Sequence, residues 1–189
     1  MDDTTGTTSD VAGAARTDGP TSAPEATALP GTTPDGGGTL TLTELAALDA
    51  PFAAETAELF AAVRDHDLAT LAARCDDDFG IVDIDPSGGS EVLRSRADWE
   101  TWFVQLFAQL DAMDAATDTV IERYDAVDWG NTGMGVVEFD QLLTVGGRTG
   151  HFHCIVTIVW KRAGDRWIEA RWHASLLHAD LPEGFGAAA

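Results

Sequence analysis

His151 and His153 stand two residues apart in a β-forming run, so a strand would put both rings on one face. Arg171, His173 and Ser175 repeat that spacing on the next run, and Glu138 and Asp140 on the run before. If these faces coincide, histidines, an arginine and two carboxylates line one surface. Such a set could ligate zinc or iron through His-x-His and a third histidine. It could equally line a small-molecule pocket, or stand as solvated or interface polarity. The position four residues after His153 is Thr157, not the glutamate that would strengthen a metal reading, and no metal or cofactor is expected.

A second group is aromatic. Trp99, Trp102, Phe103, Leu106, Phe107 and Leu110 recur at helical spacing, behind a Ser95-x-x-Asp98 cap. They predict a strong helix over 96–110, with Trp99, Trp102 and Phe103 as core and pocket wall. Asp83 and Asp85 flank the turn cluster Asp85-Pro86-Ser87-Gly88-Gly89. Cys75 and Cys154 read as small buried hydrophobes. Gly36–Gly38 lack the Lys-Ser/Thr of a phosphate loop.

The elements that must position these residues follow from periodicity. Pro51 suits a first helical turn, and Phe52, Thr56, Leu59, Phe60 and Val63 make an amphipathic helix after it. A short helix follows over 67–74, then a strand over 79–84. The second half reads as four long strands, 117–127, 133–145, 151–160 and 166–177, parted by turns at 129–131, 146–147 and 163–165. Short turns between long strands imply antiparallel pairing, and helices followed by a meander describe an α+β domain. Both parities of Ile155–Trp160 are apolar, so both faces should be covered: one by helices, the other by a second copy in a homodimer.

Composition bounds the rest. The chain has 189 residues and a formal charge of −21. Its 32 acids divide into 22 Asp and 10 Glu, against ten Arg and the single Lys161. That balance excludes a nucleic-acid binder held by a basic stripe. No apolar run is long enough to span a membrane, and no signal peptide is visible, which points to the cytoplasm. Abundant short carboxylates with almost no lysine fit a fold that works in concentrated salt, a halophilic surface. Four of the seven prolines lie before residue 38, in a Thr/Gly-rich stretch without aromatics. The reading is a disordered acidic tail over 1–42, a domain over 43–181 and a flexible C-terminus over 182–189.

Two segments carry a family resemblance. Asp67-Leu68-Ala69-Thr70-Leu71 with Cys75-Asp76-Asp77-Asp78, and Asp165-Arg166-Trp167-Ile168-Glu169-Ala170-Arg171-Trp172-His173-Ala174-Ser175, resemble segments of SnoaL-like proteins of the nuclear transport factor 2-like superfamily. The resemblance spans about 52–178. It implies a conical half-barrel, in which N-terminal helices pack in the concave face of a curved antiparallel sheet and leave a pocket at the wide end. Asp85-Pro86 matches the general base of the related ketosteroid isomerases. Leu59 and Thr157 fall where those enzymes polarise a carbonyl with Tyr and Asp, which argues against steroid-type isomerisation. The kinase association domains of the superfamily carry an arginine where this chain has Ala174.

The functional expectation is a lyase-, isomerase- or cyclase-type activity on an apolar carbonyl compound, with Asp85 or Asp83 as base. The pocket residues would be Trp99, Trp102, Phe103, Glu138, His151, His153, Arg171 and His173. The alternative is a non-catalytic ligand-binding or dimerisation module that holds a metabolite through Arg171 and His173.

Overall fold

Leu40 is tied to β-structure far along the chain: its N–H donates to the Ile121 carbonyl at 2.7 Å and its carbonyl accepts from Ile121 N–H at 2.9 Å. The computed structural model describes residues 38–83 and 91–185, with 81–83 as backbone only. Most of the expected tail, the turn cluster with Asp85, and the last four residues lie outside this range.

Thr41 and Glu44 form a reciprocal capping box that starts α1, Leu42–Ala46. Phe52 then adopts a left-handed backbone (φ 58°) and turns the chain into α2, Ala53–Arg64. Asp67 caps α3, Leu68–Arg74, by accepting from Thr70 N–H at 3.0 Å. Strand β1, Cys75–Asp83, follows directly, and β2, Glu91–Leu93, pairs back on it. Ser95 caps α4, Arg96–Ala112, which buries Trp99, Phe103, Phe107 and Leu110. The meander is β3 (Ala116–Asp128), β4 (Thr132–Val145), β5 (Arg148–Ala163) and β6 (Arg166–Asp180).

The described strands form one sheet in the order β2-β1-β6-β5-β4-β3. The meander is antiparallel as expected, but β1 joins β6 in parallel, with Ile81 opposite Trp172. A parallel neighbour is possible here because the whole of α4 and β3–β5 serves as the crossover. Register breaks at Ile121/Arg123, His153/Cys154 and Val159/Trp160 bend the long strands. The resulting curve wraps the helices, an α+β cone. Leu45, Leu71, Trp99, Ile121, Tyr124, Val137 and Trp160 are fully buried between helices and sheet.

The C-terminal end is also tied down. Leu181 and Phe185 lie over Gly150, and the Arg148 guanidinium donates to the Glu183 carbonyl at 3.1 Å. The two apolar side chains thus cover the bare backbone of Gly150.

Candidate functional site

Between α2, α4 and the concave face of the sheet lies a cavity of about 340 Å³. Helix α2 contributes Leu59, Phe60 and Val63; α4 contributes Trp102, Phe103, Leu106 and Leu110. The floor is one parity of the meander: Phe139, Gln141 and Leu143 of β4, Phe152, Cys154, Val156 and Ile158 of β5, and Trp172, Ala174 and Leu176 of β6, with Ser175 beside them. Phe60 meets Phe139 edge-on at 4.8 Å, and Phe103 meets Trp102 edge-on at 4.9 Å. No described lining residue carries a charge.

The few polar groups in the wall are largely engaged with the protein. Gln141 Nε2 donates to the Asp118 carbonyl at 2.8 Å, and its Oε1 accepts from Thr119 Oγ1 at 3.0 Å. Thr117 Oγ1 donates to the Arg64 carbonyl. Recognition in this cavity must therefore come from shape, aromatic faces and apolar burial. A separate cleft of about 360 Å³ lies between residues 39–43, Arg64 and Asp118–Val120; it shares no wall with the first.

The candidate residues divide by strand parity. Trp102 and Phe103 line the cavity, and fully buried Trp99 supports Phe103 edge-on from 5.0 Å. Glu138, His151, His153, Arg171 and His173 take the opposite parity and do not line it. Their register partners include Ile155 for Glu138, Asp140 for His153 and Thr157 for His173, all on the outer face. They share one face of the sheet, and nothing local says which face a strand apolar on both sides turns inward.

On the outer face the grouping is real at one end only. His151 Nδ1 lies 2.7 Å from Asp140 Oδ2, and His153 Nδ1 lies 3.2 Å from Glu122 Oε1. His153 also stacks on His178 at 5.6 Å, with ring planes 18° apart. Stacked rings do not converge their nitrogens, and the described residues contain no group of three ligands placed to hold a metal ion. Arg171 belongs to the far end, where it pairs with Asp78 at 3.2 Å and donates to the Asp78 carbonyl. Asp83 closes β1, and Asp85 lies outside the described residues.

One buried carboxyl escaped the sequence reading. Glu169 is 0 % exposed, and burial pushes its pKa up to about 8, partly offset by the Trp172 hydrogen bond and by Arg74. Its signal was its position two residues after Trp167 on the inward parity. Burial also pushes the Tyr124 phenol upward, although a hydrogen bond with Thr56 opposes this. The Tyr124 hydroxyl donates to the Pro51 carbonyl at 2.6 Å, so the only tyrosine holds the entry of α2 and does not face the cavity.

The SnoaL-like domain family matches residues 54–179 of this chain. No curated protein matches it significantly. Among solved structures it is similar to an NTF2-like protein with a cystatin-like fold from Novosphingobium aromaticivorans: 17 % identity, 65 % of this chain and 77 % of that one, TM-score 0.55. It is also similar to LinA, at 14 % identity over 68 % and 85 % of the two chains, TM-score 0.54. A type 2 hexachlorocyclohexane dehydrochlorinase (LinA) matches at 13 % identity over 68 % and 84 %, TM-score 0.53. These likenesses are of fold.

Proposed function

Because the chain belongs to the SnoaL-like domain family of the nuclear transport factor 2-like superfamily, we propose that its cavity binds a neutral, ring-bearing apolar small molecule. The observation that carries this reading is the lining: aromatic and aliphatic side chains from α2, α4 and β4–β6, with no described charge and its Gln and Thr already engaged. A charged ligand would surrender its hydration there without a partner, whereas each apolar Å² buried returns about 25 cal/mol. A volume of about 340 Å³ suits a compound of drug-like or smaller size.

The test uses N-phenyl-1-naphthylamine, a neutral fluorescent probe, displaced by a panel of uncharged and charged ring compounds. Saturable binding that uncharged compounds displace is the expected result. Displacement by carboxylates or phosphates alone would overturn it.

A catalytic form of the same reading has Asp85 or Asp83 remove a proton beside a carbonyl of the bound compound, in a lyase, isomerase or cyclase step. Its support is register: β1, which ends at Asp83, pairs with β6 so that Ile81 lies opposite Trp172 of the cavity floor. D83N and D85N separate the forms: loss of turnover with probe affinity kept supports a base, and a binding module gives no turnover in any variant.

The proposal includes a homodimer through the outer sheet face, in the cytoplasm and in concentrated salt. Support for the dimer is the outer parity of Val136, Ile155 and Val159 beside exposed Leu177. No described helix is long and apolar enough to cross a membrane.

A further inference from the structure

Glu169 and Trp172 both point inward although they are three residues apart on β6. On a regular strand that spacing puts side chains on opposite faces. The register break beside them resolves the contradiction: Val159 pairs with Arg171 and Trp160 with Glu169, leaving Ala170 as the extra residue of a bulge. The bulge thus brings a carboxyl and an indole to the same side. Trp172 Nε1–H donates to Glu169 Oε2 at 2.6 Å. Trp172 is a wall of the cavity; Glu169 lies behind it, 0 % exposed.

The carboxyl is held sparingly for so buried a group. Its Oε1 has no hydrogen-bond partner among the described residues. The charged and titratable groups around it are Arg74, at the end of α3, and Cys75, opposite it on β1. Arg74 is committed elsewhere, to the Glu58 carboxylate and the Trp167 carbonyl. Trp172 itself stands nearly perpendicular to Phe103 (6.2 Å, 87°) and Phe79 (5.9 Å, 83°). Beside these ring contacts, the N–H bond to Glu169 gives the indole a directional tie.

We propose that Glu169 is a positioning residue for the ligand cavity, fixing the Trp172 ring that forms one of its walls. The inference rests on the cavity being a ligand site. Glu169 touches no ligand in this scheme. It acts only through the indole, and therefore its contribution must vanish when the indole N–H is removed. An uncharged carboxamide retains a carbonyl oxygen for the same bond, so Glu169→Gln should preserve the arrangement, while Glu169→Leu should release the ring. Ionisation of Glu169 adds charge beside the indole, which should alter tryptophan emission around pH 8, the value to which burial raises the group.

The experiment measures N-phenyl-1-naphthylamine affinity and melting temperature for wild type, E169Q, E169L, W172F and the E169L/W172F pair, together with tryptophan emission against pH. E169Q should bind within about twofold of wild type, and E169L about tenfold more weakly, the effect of one hydrogen bond. In the W172F background E169L should cost nothing further. The emission step near pH 8 should be present in wild type and absent from E169Q. A folded E169L with wild-type affinity, or an equal loss from E169L in both backgrounds, overturns the proposal. Should E169L not fold, loss of affinity in E169Q overturns it instead. A wild type that binds no probe defeats the ligand-site reading itself, a result distinct from either of these.

Discussion

The ring of Phe52 fills the space that a side chain at position 133 would occupy. Gly133, on β4, is buried, and a Cβ there would overlap the Phe52 ring and crowd the Val127 carbonyl. Phe52 cannot yield, because its left-handed backbone sets its direction and its ring lies against Trp160 at 5.7 Å and Trp167 at 4.8 Å. Gly133→Ala should therefore destabilise the fold by about 1–3 kcal/mol, the usual cost of overpacking. A denaturant midpoint equal to wild type would show that the Phe52 ring is free to move.

Tyr124→Phe tests the entry of α2. The substitution removes the hydroxyl that donates to the Pro51 carbonyl while leaving the ring in place, fully buried. An orphaned carbonyl beside a retained ring should cost about 1–3 kcal/mol. Urea unfolding checks it, and an effect near zero would mean that solvent reaches Pro51.

Stability should decline between mildly acidic and mildly basic pH. Glu169 has a folded-state pKa of about 8 against an ordinary value of 4.5, so the folded protein holds a proton that the unfolded chain releases. Its contribution is complete below about pH 4.5 and is lost as pH rises through 8. Asp67 and Asp76 act in the opposite sense. Hydrogen bonds from Thr70 and Lys161 hold them below 3.8, and their stabilisation is lost only as pH falls beneath that value. Melting temperature should thus peak near pH 5 and fall toward pH 8.5, and Glu169→Gln should flatten the falling side. A wild-type profile flat from 5 to 8.5 would contradict the burial of an ionisable Glu169.

Filling the cavity should separate ligand binding from stability. Ala174 lies on its floor, half-buried. Ala174→Phe should abolish probe binding and leave the melting temperature at or above that of wild type, since apolar volume enters space that already exists. Unchanged probe affinity would place the probe elsewhere.

Molar KCl should raise the melting temperature. A formal charge of −21, with one lysine, makes the folded state repel itself, and salt screens that repulsion within a few Å. No rise between low and molar salt would remove the salt-adapted reading of the composition.

Helices α2, α3 and α4 and the four long strands were legible because their periods of apolar residues are unbroken and Gly-containing turns separate them. Helix α1 was not, since five residues are too few for periodicity, although the Thr41-x-x-Glu44 capping box was there to be read. Strand β1 begins four residues before its expected start because Cys75-Asp76-Asp77-Asp78 looks unlike a strand; Lys161 takes up Asp76 and Arg171 takes up Asp78. At the site, the aromatic face of α4 could be placed from spacing alone. The sheet residues could be grouped but not oriented, since bulges at Glu122 of β3 and at Ala170 and Leu177 of β6 shift parity and no single strand reveals them. Glu169 was hidden for the same reason: an acid in a strand of a chain this acidic reads as solvated until its neighbours are known.

The parallel seam between β1 and β6 also dictates when this protein can be made. Gly80 lies beside Arg171, roughly 90 residues later, so β1 has only the three-residue β2 beside it until β6 has left the ribosome. Until then the freshly synthesised helices lack the full curved surface they rest on, and their tryptophans wait for β6 to shelter them.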